Sequence, residues 1–187
     1  IRLVAGAKST RLSVGDGVVT WSLADVDGET FASGDSSGKV TLWDSVVGVA
    51  IAQFARHDAD VLRVCASPTR IFAAGVDAKI VALEKVNDEW VFSRSHRPHS
   101  LDVRGLLLLQ DDDDDALLVS GALDAKLCGL DLRDPNARPR RYWPFPFDSR
   151  AVISSGGYTA VNHGSHVDVL DPEKSVFRLD AKAPRNF

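Results

Sequence analysis

The clearest alternation of apolar and polar positions lies in residues 31–44, FASGDSSGKVTLWD. Val40 and Leu42 fall on one face of a predicted strand, and Thr41 and Trp43 fall on the other. Residues 34–38 are of the types that form tight turns. The segment therefore predicts strand, turn and strand, and the second strand needs neighbouring structure on both faces.

This turn recurs along the chain. A lysine follows each copy and precedes an extended apolar run, at spacings of 40 and 47 residues: Lys39, Lys79 and Lys126. A weaker fourth copy leads into residues 166–171, and His57 and His99, which are 42 residues apart, precede the second and third copies in phase. Regular recurrence over this distance indicates one small structural unit used several times.

Each unit contains about four short extended segments, and helical periodicity with caps is not evident. In the second unit the predicted strands are residues 62–66, 71–74, 79–84 and 89–93. The predicted fold is all-β. At about 42 residues per unit, the chain holds roughly four to five four-stranded units.

Five consecutive aspartates occupy residues 111–115, in the third unit. Adjacent carboxylates repel one another and need water, so this run predicts a solvated loop tip between strands. The alternative is a calcium or magnesium site. Consecutive acids do not distribute ligands around one ion as a spaced loop does, so the solvated tip is favoured.

The segment 133–147, RDPNARPRRYWPFPF, mixes arginine, proline and aromatic residues. Its prolines disfavour a central strand and favour an edge or a connector. Arginines beside aromatics suit RNA, whereas a connector packed on a neighbouring sheet or domain is the simpler interpretation. The candidate RNA or partner contacts are Arg94, Arg97, Arg138, Arg140, Arg141, Tyr142 and Trp143.

Charge and composition narrow the function only slightly. The net charge of −4 over 187 residues provides no overall basic field for nucleic acid, although a local basic patch remains compatible with RNA binding. The sequence predicts no membrane-spanning segment and no signal peptide. Because the chain starts at Ile1 and contains no methionine, we expect it to be an internal piece of a longer protein.

Units of about 40 residues with a strand ending in Trp43–Asp44 resemble WD40 repeats, which stack as blades of a β-propeller. The spacing of His57, Val61, Val64 and Ser67-Pro68 adds a second WD40 feature. The resemblance therefore implies a partial propeller of about four to five blades.

WD40 blades often share a hydrogen-bonded set of His, Ser, Asp and Trp, which the resemblance maps only partly onto this chain. In the second unit Ala74 is expected at the serine place, and in the third Leu130 is expected at the tryptophan place. Residues 99, 120 and 124 also match a catalytic triad, but their phase within the repeat favours a structural role. The predicted structural set is Trp43, His57, Asp77, His99, Ser120 and Asp124.

The ordered segments TWSL, ASGDSSGKVTLWDS, RHDADVL, AAGVDAKIV, SLDVRGL and LVSGALDAKL are similar to one WD40 family, cirhin. The match is good over residues 20–131 and looser to residue 171. The aspartate run at 111–115 and Ser37, where aspartate is usual, depart from the family pattern.

The resemblance implies a non-catalytic scaffold of the small-subunit processome, located in the nucleolus, with no cofactor or small-molecule substrate. The implied partners are other processome subunits and the 5′ external transcribed spacer of pre-ribosomal RNA, with no membrane. The implied organisation is blades of a first propeller at 1–131, a connector at 132–150, and a further blade at 151–187 that belongs or leads to a second propeller. The alternative function is a general WD40 adaptor, such as a substrate receptor of a ubiquitin ligase.

Overall fold

The computed structural model of the chain describes residues 1–5, 8–111, 114–124, 126–144, 149–155, 158–163, 166–171 and 175–180. Every regular element in these ranges is a β-strand, which confirms the all-β prediction. The strands form one two-stranded and four four-stranded sheets. The chain divides into two compact units, Ile1–Pro98 and His99–Phe187.

The first unit contains a two-stranded sheet and two four-stranded sheets. The two-stranded sheet consists of β1 (Arg2–Ala5) and β2 (Lys8–Arg11). The first four-stranded sheet has the order β3 (Thr20–Asp25), β4 (Thr30–Asp35), β5 (Lys39–Asp44) and β6 (Val49–Ala55). The second has the order β7 (Val61–Ala66), β8 (Arg70–Gly75), β9 (Ile80–Val86) and β10 (Glu89–His96).

The second unit contains the third and fourth sheets. The third has the order β11 (Val103–Asp111), β12 (Asp114–Ala122), β13 (Lys126–Asp131) and β14 (Arg140–Pro144). The fourth has the order β15 (Ser149–Ser155), β16 (Tyr158–His163), β17 (His166–Asp171) and β18 (Ser175–Asp180).

Part of the segment expected to connect the blades belongs to the third sheet. Arg140–Pro144 forms the outermost strand, β14, and pairs with β13. Proline lacks a backbone donor, so an outer strand accommodates it where a central strand does not. The assignment of sheets to a first and a second propeller stays a prediction.

The aspartate run lies where β11 and β12 meet as an antiparallel pair. Asp111 pairs with Asp114, and Gln110 pairs with Asp115. Residues 112 and 113 lie outside the described residues, as do the side chains of the whole run. The predicted solvation of the tip therefore stays a prediction.

One irregularity recurs in all four larger sheets. The pairing between the first and second strands shifts register near the start of the first strand, between Thr20 and Ser22, Val61 and Arg63, Val103 and Gly105, and Ser149 and Ala151. A bulge at a fixed place re-aims the strand in the same way each time. The four sheets are therefore copies of one four-stranded repeat.

The core of the first unit lies between the first and second sheets. β3 lies beside β7. Ala32, Val40 and Leu42 of the first sheet pack in one cluster with the apolar face of the second sheet, and each is at most 1% exposed. The second sheet contributes Val61, Val64, Ile71, Ala73, Val81 and Leu83. This packing supplies the cover that the alternation at residues 40–43 required on the Val40–Leu42 face.

Glycine allows close approach at two places, between the first and second sheets at Gly34 and within the second sheet at Gly75. A Cβ on Gly34 would lie 2.5 Å from Val61 Cγ1 and 2.9 Å from Val64 Cγ2. A Cβ on Gly75 would overlap the carbonyl oxygen of Asp60, which precedes Val61, the residue that pairs with Gly75. Heavy atoms do not approach this closely without displacement, so the first strand of the second sheet is seated against both glycines.

Candidate functional site

The third sheet contains a buried hydrogen-bond chain. His99 Nδ1 lies 3.1 Å from Asp124 Oδ1, and His99 Nε2 lies 2.9 Å from Ser120 Oγ. The backbone N–H groups of Ser100 and Lys126 donate to the Asp124 carboxylate. His99 and Ser120 are only 3% and 2% exposed. The aspartate thus holds both the histidine and the turn that begins the next strand.

The charges of this pair follow from its burial and its partners. Burial lowers the pKa of His99, although the Asp124 carboxylate favours the protonated ring. Burial alone would raise the pKa of Asp124, but its hydrogen bond from Ser100 and its interactions with His99 and Lys126 lower it below the usual value. A neutral imidazole with Nδ1–H donating to an ionised Asp124 and Nε2 accepting from Ser120 satisfies all three groups.

The second sheet carries a shorter version of this chain. His57 Nδ1 lies 3.0 Å from Asp77 Oδ1, and the N–H groups of Asp58 and Lys79 donate to the same carboxylate. Burial opposes ionisation of Asp77, yet the bonds from His57, Asp58 and Lys79 outweigh it and lower its pKa. His57 Nε2 is buried without a hydrogen-bond partner among the described residues.

The pairing register corrects the residue expected at the serine place of the second sheet. Ser33 pairs with Thr41, Ser120 pairs with Cys128, and the matching pair in the second sheet is Ala73 with Val81. The prediction of Ala74 was therefore wrong by one residue. Alanine at 73 has no hydroxyl for the histidine, which accounts for the unpartnered His57 Nε2.

The first sheet contains the tryptophan end of the set. Trp43 Nε1 donates to Ser33 Oγ at 2.8 Å, and the Trp43 ring stacks on Phe31 with centroids 6.2 Å apart. Trp43 is 5% exposed, and both of these partners are in its own sheet. Sequence reasoning missed Ser33, although its distance of six residues from Lys39 equals that of Ser120 from Lys126.

In the first sheet Asp35 takes the role that Asp77 and Asp124 have in the turns of the other sheets. Sequence reasoning missed it as well. Its Oδ1 accepts from the Ser37 N–H and hydroxyl and from the Lys39 N–H. Asp77 and Asp124 accept the corresponding lysine N–H groups in the other sheets. Ser37 therefore departs from the usual sequence pattern, while Asp35 supplies the carboxylate from two residues earlier.

Two hydrogen bonds that involve side chains join the first sheet to the second. Trp21 Nε1 donates to Asp60 Oδ2 at 2.8 Å, and the Val64 N–H donates to Ser22 Oγ at 3.0 Å. The partners are 39 and 42 residues apart, about one repeat. A separation of about one repeat is what contacts between neighbouring copies of a repeated sheet produce.

The candidate RNA contacts fall in both units. Arg94 and Arg97 belong to the first unit. Arg94 Nη2 lies 3.9 Å from Glu84 Oε1, and Arg97 is exposed. Arg138 is exposed in the second unit. The remaining four lie on β14, and their side chains are outside the described residues: Arg140, Arg141, Tyr142 and Trp143.

Burial suits the two histidines to a structural role rather than to catalysis. The side chains of His57 and His99 are 0% exposed, so a substrate cannot reach either imidazole without unfolding of the surrounding sheet. No group of three potential metal ligands occurs within the described residues. The same part of the chain contains no helix long and apolar enough to cross a membrane.

Four-stranded antiparallel sheets with a repeated bulge, buried His–Asp pairs and a Trp–Ser hydrogen bond define the blades of a partial WD40 β-propeller. A solved structure described as "Structure of U3-55K" superposes with a TM-score of 0.75, at 16% sequence identity, over 90% of this chain and 54% of that one. This similarity supports the fold.

Curated sequences extend the comparison. U3 small nucleolar RNA-associated protein 4 of Schizosaccharomyces pombe is 28% identical over 143 residues, 74% of this chain. The protein of the same name in Saccharomyces cerevisiae is 33% identical over 107 residues, 53% of this chain. Periodic tryptophan protein 2 homolog of Dictyostelium discoideum is 38% identical over 64 residues, 32% of this chain.

The chain spans 20%, 14% and 7% of the lengths of these three relatives, respectively. No family model matches the chain.

Proposed function

We propose that this protein is a non-catalytic WD40 scaffold of the small-subunit processome that supports pre-18S ribosomal RNA processing. The observation that carries the proposal is sequence similarity to U3 small nucleolar RNA-associated protein 4 from two yeasts, over 74% and 53% of the chain. We also retain the resemblance to cirhin as part of the proposal, together with a nucleolar location.

The buried polar chains support the non-catalytic part. The side chain of His99 is 0% exposed, and Asp124 holds both the ring and two backbone N–H groups. A general base needs access to the substrate proton, directly or through one water. The same residues instead satisfy each other and fix a turn between strands.

Depletion of the full-length protein in its own cells tests this function. We expect precursors of 18S ribosomal RNA to accumulate, while precursors specific to the large subunit are retained at normal levels. A re-expressed wild-type copy should restore processing. Normal 18S processing after depletion, with accumulation of a substrate that is no longer ubiquitylated, would favour the adaptor function.

We further propose that other processome subunits and the 5′ external transcribed spacer are partners, the latter through arginines. The exposed Arg97 and Arg138 are the best placed among the candidates whose side chains are described. Ultraviolet crosslinking in cells should recover spacer RNA, and Arg97→Glu with Arg138→Glu should reduce its yield. Unchanged crosslinking in this double variant would exclude these two arginines as RNA contacts.

A further inference from the structure

The outermost strand of the first sheet, β6, has an edge without any charged side chain. Residues 45–55, SVVGVAIAQFA, contain no Asp, Glu, Lys or Arg. An outer strand presents unpaired backbone N–H and C=O groups to other chains, and charged side chains are a common means of preventing such pairing. The outermost strand of the second sheet, β10, carries Glu89 and Arg94. Each of these two strands has one register shift against its neighbour, so the lack of charge is what distinguishes β6.

The side chains at this edge are apolar and exposed. Four of them, here called the apolar edge, are between 51% and 75% exposed: Val46, Val47, Val49 and Ile51. Ala52 and Phe54 of the same strand pack instead against the core between the first and second sheets. The strand is therefore anchored on one side while its apolar edge is open to solvent.

The turn that begins the apolar edge is held in one conformation. Asp44 Oδ1 accepts from the N–H groups of Val46 and Val47, both at 2.8 Å. The N–H and the hydroxyl of Ser45 both donate to the carbonyl oxygen of Glu29, in the turn between β3 and β4. The exposed valines are thus fixed before any partner arrives, which lowers the entropic cost of docking.

Opposite charges flank the apolar edge. Asp27 and Glu29 are exposed beside the turn where β6 begins. Arg56 is exposed directly after β6 ends, with its guanidinium 4.7 Å from the centre of the Phe92 ring. A strand added to β6 would lie about two strand spacings, roughly 10 Å, from the end of β5, where Glu29 is bonded to Ser45. Charged side chains at the two ends of such a strand would come within about a Debye length of both groups.

We infer that an extended segment of a partner protein pairs with β6 in the antiparallel direction and covers the apolar edge. Antiparallel pairing continues the order of the first sheet. The flanking charges then fix the sequence of the segment: an acidic residue at its start lies beside Arg56, β-branched residues alternate along its middle, and a basic residue at its end lies near Asp27 and Glu29. Backbone pairing supplies affinity, and the alternate side chains supply specificity.

Charge and shape favour this occupant over two others. RNA phosphates would meet the carboxylates of Asp27 and Glu29, and residues 45–55 contain no cation to offset the repulsion. A second copy would bring its own register shift to the interface, because Ile51 has no partner on β5. A single extended segment follows the bend of one bulged strand more easily than a second sheet with the same bend does.

The test measures binding of two synthetic peptides to the full-length protein by fluorescence anisotropy. ETVTVTVTK has the inferred charge order, and KTVTVTVTE has the reverse order. We expect the first peptide to bind roughly two- to tenfold more tightly, as exposed charge pairs allow, and to slow amide exchange in residues 49–55. Failure of both peptides to bind would overturn the inference and leave the depletion test of 18S processing unaffected.

Exchange of the flanking charges is the first control. Glu29→Lys combined with Arg56→Glu should reverse the preference, so that KTVTVTVTE binds more tightly. An unchanged preference would show that these charges do not orient the segment and would overturn its inferred sequence.

A second control locates the binding site. Ile51→Lys should abolish peptide binding without changing the melting temperature, because Ile51 is 53% exposed. The matched variant Val91→Lys, on the outer strand β10, should leave binding intact. Equal loss in the two variants, or no loss in Ile51→Lys, would mean that the peptide does not pair with β6.

Photocrosslinking in cells identifies the natural occupant. A photoreactive residue at position 49 of the full-length protein should crosslink to a protein segment in which β-branched residues alternate between an acidic start and a basic end. Crosslinking to RNA alone would assign the apolar edge to RNA. A concentration-dependent dimer in sedimentation that Ile51→Lys abolishes would assign it to a second copy, and either result would overturn the inference.

Discussion

The first three sheets each contain a different subset of one hydrogen-bonded set of tryptophan, serine, histidine and aspartate, at matching positions. The first sheet has the tryptophan and serine, the second has the histidine and aspartate, and the third has serine, histidine and aspartate. Each sheet satisfies most of its buried polar atoms with the subset it has. Among the described residues, the buried atoms without a partner are Asp35 Oδ2 in the first sheet and His57 Nε2 and His96 Nε2 in the second.

Ala73→Ser is expected to stabilise the protein. Its hydroxyl would take the place that Ser120 holds beside His99 and donate to His57 Nε2, a gain of about 0.5–1.5 kcal/mol. The matched control is Ala74→Ser, which buries a hydroxyl one residue away from that place and should lower stability. Urea unfolding of both variants measures the difference, and a larger gain from Ala74→Ser would contradict the register assignment.

Stability is expected to fall with decreasing pH because of His99. Burial lowers its pKa in the folded state, so the unfolded chain binds the proton more readily. The contribution is complete above the unfolded value of about 6.5 and is lost as pH falls from there to the folded pKa. The ionised Asp124 loses its own contribution only at lower pH, through its lowered pKa.

Urea unfolding between pH 7.5 and 5.5 measures this effect. His99→Gln should flatten the decline in the free energy of unfolding. His96→Gln is a second variant with the same expected sign, since burial and the charge of Arg94 also lower the pKa of His96. An undiminished decline in His99→Gln would show that His99 is not the group responsible.

The elements repeat because the same turn, bulge and strand pattern recurs. The sequence pattern predicted the number and order of the strands β7–β10, with ends that differ from the observed ones by at most three residues. The serine place was mispredicted because the Ala74–Gly75 pair resembles Ser33–Gly34. Counting six residues back from each lysine gives the observed register instead.

Other parts of the site depend on contacts between elements. The Trp21–Asp60 bond joins residues 39 apart, and neither has a distinctive local pattern. Asp35 was overlooked because the carboxylate sits two residues before the usual place and reaches the same N–H through its side chain. Pairing across sheets and side-chain reach are set by packing, so one sequence without the fold does not reveal them.

Close backbone approach at Gly34, between the first and second sheets, and at Gly75, within the second sheet, gives a prediction for both glycines. Gly34→Ala is expected to cost about 1–3 kcal/mol, because its Cβ meets two valine side chains that must shift to make room. Gly75→Ala should cost more, because its Cβ meets the Asp60 backbone carbonyl, which cannot rotate away. Thermal unfolding ranks the two variants.

A double variant checks the cause of the smaller effect. Val61→Ala removes the Cγ1 methyl group that lies nearest to the added Cβ on Gly34. Gly34→Ala and Val61→Ala should therefore destabilise less together than the sum of their separate costs. Simple additivity would mean that contact with Val61 does not cause the loss.

The fold of the protein follows from its structure, whereas its proposed function rests on similarity to relatives. Its four larger sheets follow the WD40 pattern, and its similarity in sequence is to U3 small nucleolar RNA-associated proteins. Buried histidines and aspartates stabilise blades, and the partner contacts that we propose fall to turns, outer strands and exposed arginines. A scaffold in a ribonucleoprotein assembly fits this distribution.

The most direct measurement is recovery of U3 small nucleolar RNA with the tagged full-length protein from its own cells. We predict strong enrichment of U3 and of the 5′ external transcribed spacer over an unrelated tagged WD40 protein, decreasing as salt rises because phosphate contacts release counterions. Recovery of ubiquitin-ligase subunits with no enrichment of either RNA would contradict the processome function.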